Sequence, residues 1–196
     1  MSRRMLVLAS TSPRRISLLK QLGVPFEAVD PGDAENSVAL DPVAHVRDHA
    51  LSKAEAVAAK YPDKLVIAAD TIVVLDGRIL EKPRNMEEAK AMLRALCGRI
   101  HTVISAVALV ERDRGLSDLR IEETKVGMKK LNEEEIEAYV ATGEPMDKAG
   151  AYAAQGIGAF IIERVEGCFY NVVGLPVSLL YDMLKDAGVD MLTSLR

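Results

Sequence analysis

Apolar and polar positions alternate along the chain with two periods, and the period of each stretch predicts its element. "MLVLAS" (5–10) reads as a short buried strand. "SPRRISLLKQLG" (12–23) reads as a helix capped by Ser12, with Pro13 at its first position and Gly23 past its end. "FEAVDP" predicts a second strand, and the aperiodic, acid-bearing "GDAENSVAL" a loop. In "PVAHVRDHALSKAEAVAAKY", Val43, Val46, Ala50, Ala54 and Val57 repeat at helical spacing, with Lys53 and Lys60 outside that apolar set. "LVIAAD" is apolar at alternate and intervening positions, as a strand covered on two sides would be, and "TIVVLDGRIL" adds a hairpin at Asp76 and Gly77. "NMEEAKAMLRALCG" predicts an amphipathic helix with Met86, Ala89, Met92, Leu93 and Leu96 inward. "HTVISAVALV" and "DLRIEETKVGMKKL" predict two long strands that can pair antiparallel across the "DRG" turn. A helix, "NEEEIEAYVATG", two strands, "AFIIERV" and "FYNVV", and a final helix, "PVSLLYDMLKDAG", complete the chain. Strands, helices and hairpins in this mixture point to an α/β protein with a mixed sheet, not a doubly wound parallel one.

Composition narrows the picture. A chain of 196 residues, 49% apolar, can build one large domain or two lobes sharing a core. The net charge of -4 excludes a general nucleic-acid binder, so any basic site must be local. The charged start "MSRRM" is followed by too short an apolar stretch for an export signal. The longest uncharged run, "CFYNVVGLPVSLLY", is shorter than the roughly 18 residues of a membrane span. A soluble cytoplasmic protein, with neither membrane nor nucleic acid as partner, is expected. Cys97 and Cys168 read as inert thiols. The chain has no P-loop, no zinc spacing and no nucleophile elbow. His45 and His49 share an i, i+4 spacing, but without a third ligand nearby in sequence they read as surface or core residues.

Two stretches carry candidate chemistry. In "LASTSPRRIS", Arg14 and Arg15 stand in the first turn of a helix whose unpaired N–H groups are already electropositive. Either the arginines are solvated beside an ordinary serine cap, or Ser10, Thr11, Ser12 and the two guanidinium groups receive a phosphate. In "VIAADTIVVLDGRILEKP", Asp70 ends a buried strand, where a carboxylate is costly without water, a metal or a partner. Asp70 marks a candidate site, with Lys82 as a second phosphate ligand, or it bonds within its own turn through Thr71.

At these residues the chain resembles the Maf family of nucleotide pyrophosphatases, also called septum formation inhibitor proteins. The resemblance rests on "LASTSPRRISLL", "AADTIVVLDGRILEKP", "GRIHTVISAVAL", "YVATGEPMDKAGAYAAQG" and "YNVVGLP", in order over nearly the whole chain. It implies a mixed α/β fold akin to the inosine triphosphatase and Ham1 group: an elongated sheet flanked by helices. It further implies one domain over 1–196, two lobes with the site in a central cleft, and a homodimer. The implied reaction is hydrolysis of a nucleoside triphosphate between the α and β phosphates, giving monophosphate and pyrophosphate. Asp70 then occupies the proton-acceptor position, and Mg or Mn is held by Asp70 and Glu35. Ser10, Arg14, Arg15, Lys53 and Lys82 match the family's phosphate ligands.

Arg14, Thr71 and Gln155 match three positions that distinguish the dTTP/UTP subfamily from a sister subfamily acting on 7-methyl-GTP. A glutamine amide, both donor and acceptor, suits the N3–H and carbonyl edge of uracil or thymine. Gln155 otherwise reads as a solvent-facing loop residue. Two departures stand out: Glu81 where many relatives carry glycine, and Ala154 where many carry a larger aliphatic. Asp147 and Lys148 read as a charge pair, Glu144 and Asp147 as possible additions to a metal shell, and Tyr139 and Tyr152 as base-stacking or core residues. The rival functions are a nucleotide-binding division regulator without turnover and a phosphatase or diphosphatase acting on sugar nucleotides.

Overall fold

A computed structural model describes residues 5–34 and 39–194. Glu35, expected as a metal ligand, lies outside the described residues. The strands are β1 (Leu6–Ala9), β2 (Phe26–Val29), β3 (Leu65–Leu75), β4 (Arg78–Leu80), β5 (Ile100–Glu111), β6 (Leu116–Met128) and β7 (Ile162–Glu166). The helices are α1 (Pro13–Gln21), α2 (Pro42–Ala58), α3 (Met86–Leu96), α4 (Glu133–Ala141), α5 (Phe169–Val173), α6 (Val177–Asp186) and α7 (Met191–Ser194). Short 3-10 turns span Glu144–Asp147, Ala149–Ala151 and Gly156–Phe160. The strands form one sheet of seven in the order β2-β1-β3-β5-β6-β7, with β4 paired to β3. β1 runs parallel to β2 and β3, whereas β4 and β7 are antiparallel to β3 and β6. The mixed sheet expected from the sequence is therefore present. None of the described helices is long and apolar enough to cross a membrane.

The chain divides into two compact units. One comprises residues up to Asp70, Ser105–Glu122 and the chain from Gly174; the other comprises Thr71–Ile104 and Glu123–Val173. In the first unit, all four residues of β1 are buried, as a strand paired on both edges and covered on both faces requires. Pro13 opens α1, whose first turn contains no acid to offset Arg14 and Arg15. Asp41 caps α2 by accepting from the Ala44 N–H at 2.8 Å, and Pro42 follows at the first position. Val46, Ala50, Ala54 and Val57 are fully buried along α2, as their spacing predicts. Lys53, which the sequence sets outside the apolar set, is nonetheless buried on this helix, 6% exposed. Its position three residues after Ala50 and four before Val57 places it on the same inward side.

The second unit holds the hairpin, where Asp76 and Gly77 both take positive φ (50° and 76°) and Leu75 pairs with Arg78. Asn85 caps α3 and a reciprocal Asn132/Glu135 capping box starts α4. Met86, expected inward, is 52% exposed; it is the first residue of α3, and Ala89, Leu93 and Leu96 form the buried stripe. The run "FYNVV" is helix α5, not a strand. Its aromatic and β-branched residues favour a strand locally, but the fully buried Asn171 side chain donates to the Val103 carbonyl at 3.1 Å and to Thr124 Oγ1 at 3.0 Å. A tertiary polar anchor overrides local propensity here.

Tyr139 and Tyr152 lie in the apolar cluster of this unit with Leu93, Leu96, Val126 and Met128. The Tyr152 hydroxyl meets His101 Nε2 at 2.7 Å, and burial pushes the His101 pKa down to about 4 from 6.5. Between those values the unfolded chain binds a proton that the folded chain refuses. This contribution to stability is whole above pH 6.5 and is lost as pH falls toward 4. The gap corresponds to ~3 kcal/mol. Denaturant unfolding at pH 7 and pH 4 is expected to show a smaller acid loss for His101→Gln than for the unsubstituted protein; equal losses would mean that His101 is protonated in the fold.

Candidate active site

β1 delivers the chain to the turn before α1, where Ser10, 6% exposed, accepts from the Ser12 N–H at 3.1 Å. Ser12 stands at the cap position, but its side chain makes no capping bond. Arg15 Nε donates to the Gly174 carbonyl at 2.8 Å, which fixes the guanidinium at the helix start. Arg14, beside it, is half-buried.

Asp70 closes the buried first half of β3 and is 8% exposed. The Lys53 ammonium donates to its Oδ1 at 2.8 Å, so the chain satisfies this carboxylate with a lysine, not through its own turn. Burial pushes the Asp70 pKa up; Lys53, Arg15 and the Lys53 hydrogen bond, with a smaller contribution from His49, outweigh it and hold the carboxyl below its ordinary range. A buried carboxylate here is ionised because two cations from two helices face it.

His49 Nδ1 lies 3.6 Å from Asp70 Oδ2, too long for a hydrogen bond. Its other ring nitrogen, Nε2, is buried and has no partner among the described residues. His45 packs on it with ring centroids 4.1 Å apart. One donor atom from each of His45, His49 and Asp70 lies within 4.8 Å of the others, the one cluster of metal-ligating type found among the described residues. Two imidazoles and a carboxylate are donors that fit a divalent ion, and the unpartnered Nε2 agrees with that fit. The histidine pair, read from the sequence as surface or core, is buried and gains a third group of ligand type beside it through the fold. A signal was present: His45, His49 and Lys53 recur every four residues and form one ridge of α2 beside its apolar stripe.

Thr71, Lys82 and Gln155 belong to the second unit. Thr71 directly follows Asp70 in β3 and is half-buried; Lys82 is exposed just past β4, where the Gly150 N–H donates to the Glu81 carbonyl at 3.1 Å. Gln155 is exposed and enters the Gly156–Phe160 turn, which Glu144 holds in place. The Glu144 carboxylate accepts from the Ile157 N–H (3.0 Å), the Gly158 N–H (2.7 Å) and the Tyr139 hydroxyl (2.8 Å). Tyr139 in turn accepts from the Ala153 N–H at 3.1 Å. Gly156 is required here: its φ is +73°, and a Cβ would sit 2.2 Å from Glu144 Oε1. Glu144 thus fastens this loop, while Asp147 pairs with Lys148 as expected. Tyr139 and Tyr152, 4% and 5% exposed with their hydroxyls engaged, are core residues and not base-stacking ones.

Known proteins share both the sequence and the fold. The dTTP/UTP pyrophosphatase of Dictyoglomus thermophilum is 47% identical over 189 residues, covering 95% of this chain and 98% of that protein. The dTTP/UTP pyrophosphatase of Pelotomaculum thermopropionicum is 51% identical over 188 residues, covering 95% and 98%. Among solved structures, the Staphylococcus aureus Ham1 protein superposes with a TM-score of 0.54 at 16% identity, covering 94% of this chain and 100% of that one, a likeness of fold. The family model described as Maf-like protein matches residues 5–187, and with these relatives it establishes that the chain belongs to the Maf family.

Proposed function

We propose that this protein is a nucleoside triphosphate pyrophosphatase that hydrolyses dTTP and UTP to the monophosphate and pyrophosphate. The observation that carries the proposal is the near full-length identity of 47% and 51% to dTTP/UTP pyrophosphatases. The arrangement of Lys53, Arg15 and Asp70 agrees with it. Because one family model runs from residue 5 to 187, we read both compact units as parts of a single domain.

In this reading Ser10, Arg14, Arg15, Lys53 and Lys82 bind the phosphate chain. Fixed cations suit a bond cleavage that moves charge onto departing pyrophosphate. Asp70, kept ionised by its cationic neighbours, accepts the proton of the attacking water. The oxygen of that water ends on the monophosphate. A divalent ion held at Asp70, Mg or Mn, would supply further charge neutralisation and lower the pKa of water beside it. Arg14, Thr71 and Gln155 set the preference for a pyrimidine, and the Glu144 fastening presents Gln155 at a fixed position.

The test is a panel of nucleoside triphosphates, 7-methyl-GTP included, read by pyrophosphate release for the unsubstituted protein and for Gln155→Ala. UTP and dTTP are expected to lead the panel with pyrophosphate as the inorganic product. Gln155→Ala is expected to lower the pyrimidine-to-purine ratio by about tenfold, the order of one polar contact, and the best-substrate rate by less. Orthophosphate as the sole inorganic product would overturn the bond assignment, and an unchanged ratio would remove Gln155 from base selection.

A further inference from the structure

We propose that His45, His49 and Asp70 form a two-imidazole, one-carboxylate site that binds a divalent transition-metal ion, of manganese or cobalt type, in preference to magnesium and without need of a nucleotide. The geometry comes from two elements. α2 presents His45 and His49 one turn apart, and the end of β3 presents Asp70, with one donor atom of each within 4.8 Å of the others.

The three residues are 9%, 8% and 8% exposed, so a donor left empty is costly. His49 carries that cost: Nδ1 stands 3.6 Å from Asp70 Oδ2, and the buried Nε2 has no partner among the described residues. An ion bonded at about 2.1 Å to each donor would hold them roughly 3 Å apart, a contraction that side-chain torsions can supply. Lys53 uses Asp70 Oδ1, and Oδ2 faces His49. The carboxylate can therefore serve the ammonium with one oxygen and the ion with the other.

The donor set decides the selectivity. Magnesium is hard, takes oxygen ligands and gives up water reluctantly, whereas imidazole nitrogen suits first-row transition ions. Lys53 and Arg15, both acting on Asp70, repel any cation, so the two imidazole nitrogens must contribute a substantial share of the affinity.

The inference is independent of the nucleotide reading and is tested on nucleotide-free protein. Mn(II) titration followed by electron paramagnetic resonance is expected to show one ion bound per chain, with magnesium displacing it only at an excess of about a hundredfold or more. Spin-echo modulation from imidazole nitrogen on the bound ion is expected in the unsubstituted protein and needs no variant. His45→Ala/His49→Ala is expected to weaken binding at least tenfold while its thermal melt remains cooperative. Absence of nitrogen modulation, equal competition by magnesium, or undiminished binding by the folded double variant would each overturn the site. A pyrophosphate-releasing enzyme that nonetheless fails these tests would keep its proposed function and lose only this inference.

Discussion

Asp70→Asn is expected to lower kcat by about 10³, within the 10² to 10⁴ that a positioned base typically supplies, and to leave nucleotide affinity within about tenfold. The substitution is nearly isosteric. An asparagine Oδ1 still accepts the Lys53 hydrogen bond made at 2.8 Å, so the buried ammonium keeps a partner. What is lost is the negative charge and the capacity to take a proton. Removing a carboxylate from beside bound phosphates also relieves a repulsion, so binding is not expected to suffer. Single-turnover pyrophosphate release gives the chemical step, and equilibrium titration with UTP gives the affinity. A variant whose KM rises while kcat holds would make Asp70 a binding group, and one whose kcat stays within tenfold would take it out of the chemistry.

Much of the framework that places Asp70 was legible in the sequence. "LVIAAD" could only be a covered strand ending in a charge, and the positive-φ pair Asp76 and Gly77 made the hairpin that follows it. The turn before α1 was readable because its chemistry is local: Pro13 fixes the helix start and the first-turn arginines contradict the helix dipole. What failed was non-local. Local propensity made "FYNVV" a strand because nothing in five residues announces that Asn171 will bond a carbonyl 68 positions earlier. Lys53 was set outside the apolar face because its charge was weighed above its position, although a buried cation is ordinary once an acid from another element meets it. His45 and His49 lacked a third partner only along the chain; Asp70, 21 positions beyond His49, lies beside them in the fold. Residues that alternate on one element could be assigned from the sequence, whereas residues that complete each other across elements could not.

Lys53→Met should therefore expose how far the fold depends on that completion. Methionine has nearly the length and volume of the lysine stem, so packing along α2 is largely kept, and the change isolates the charge. It strands an ionised carboxylate that is 8% exposed, with Arg15 and the His49 imidazole as its remaining company. Removing one partner of a buried pair costs about 3–5 kcal/mol, a large part of the stability of a domain this size. The double variant Lys53→Met/Asp70→Asn removes the orphaned charge and is expected to recover about half of that loss, which makes the coupling about 2 kcal/mol plus whatever Asp70→Asn costs alone. Denaturant midpoints of the three variants and the unsubstituted protein complete the cycle. A Lys53→Met variant within about 1 kcal/mol of the parent would mean the carboxylate is solvated in spite of its burial. Catalysis should fall with it for a separate reason, since this ammonium both holds Asp70 ionised and supplies one of the proposed phosphate contacts. The double variant is therefore expected to regain stability without regaining turnover.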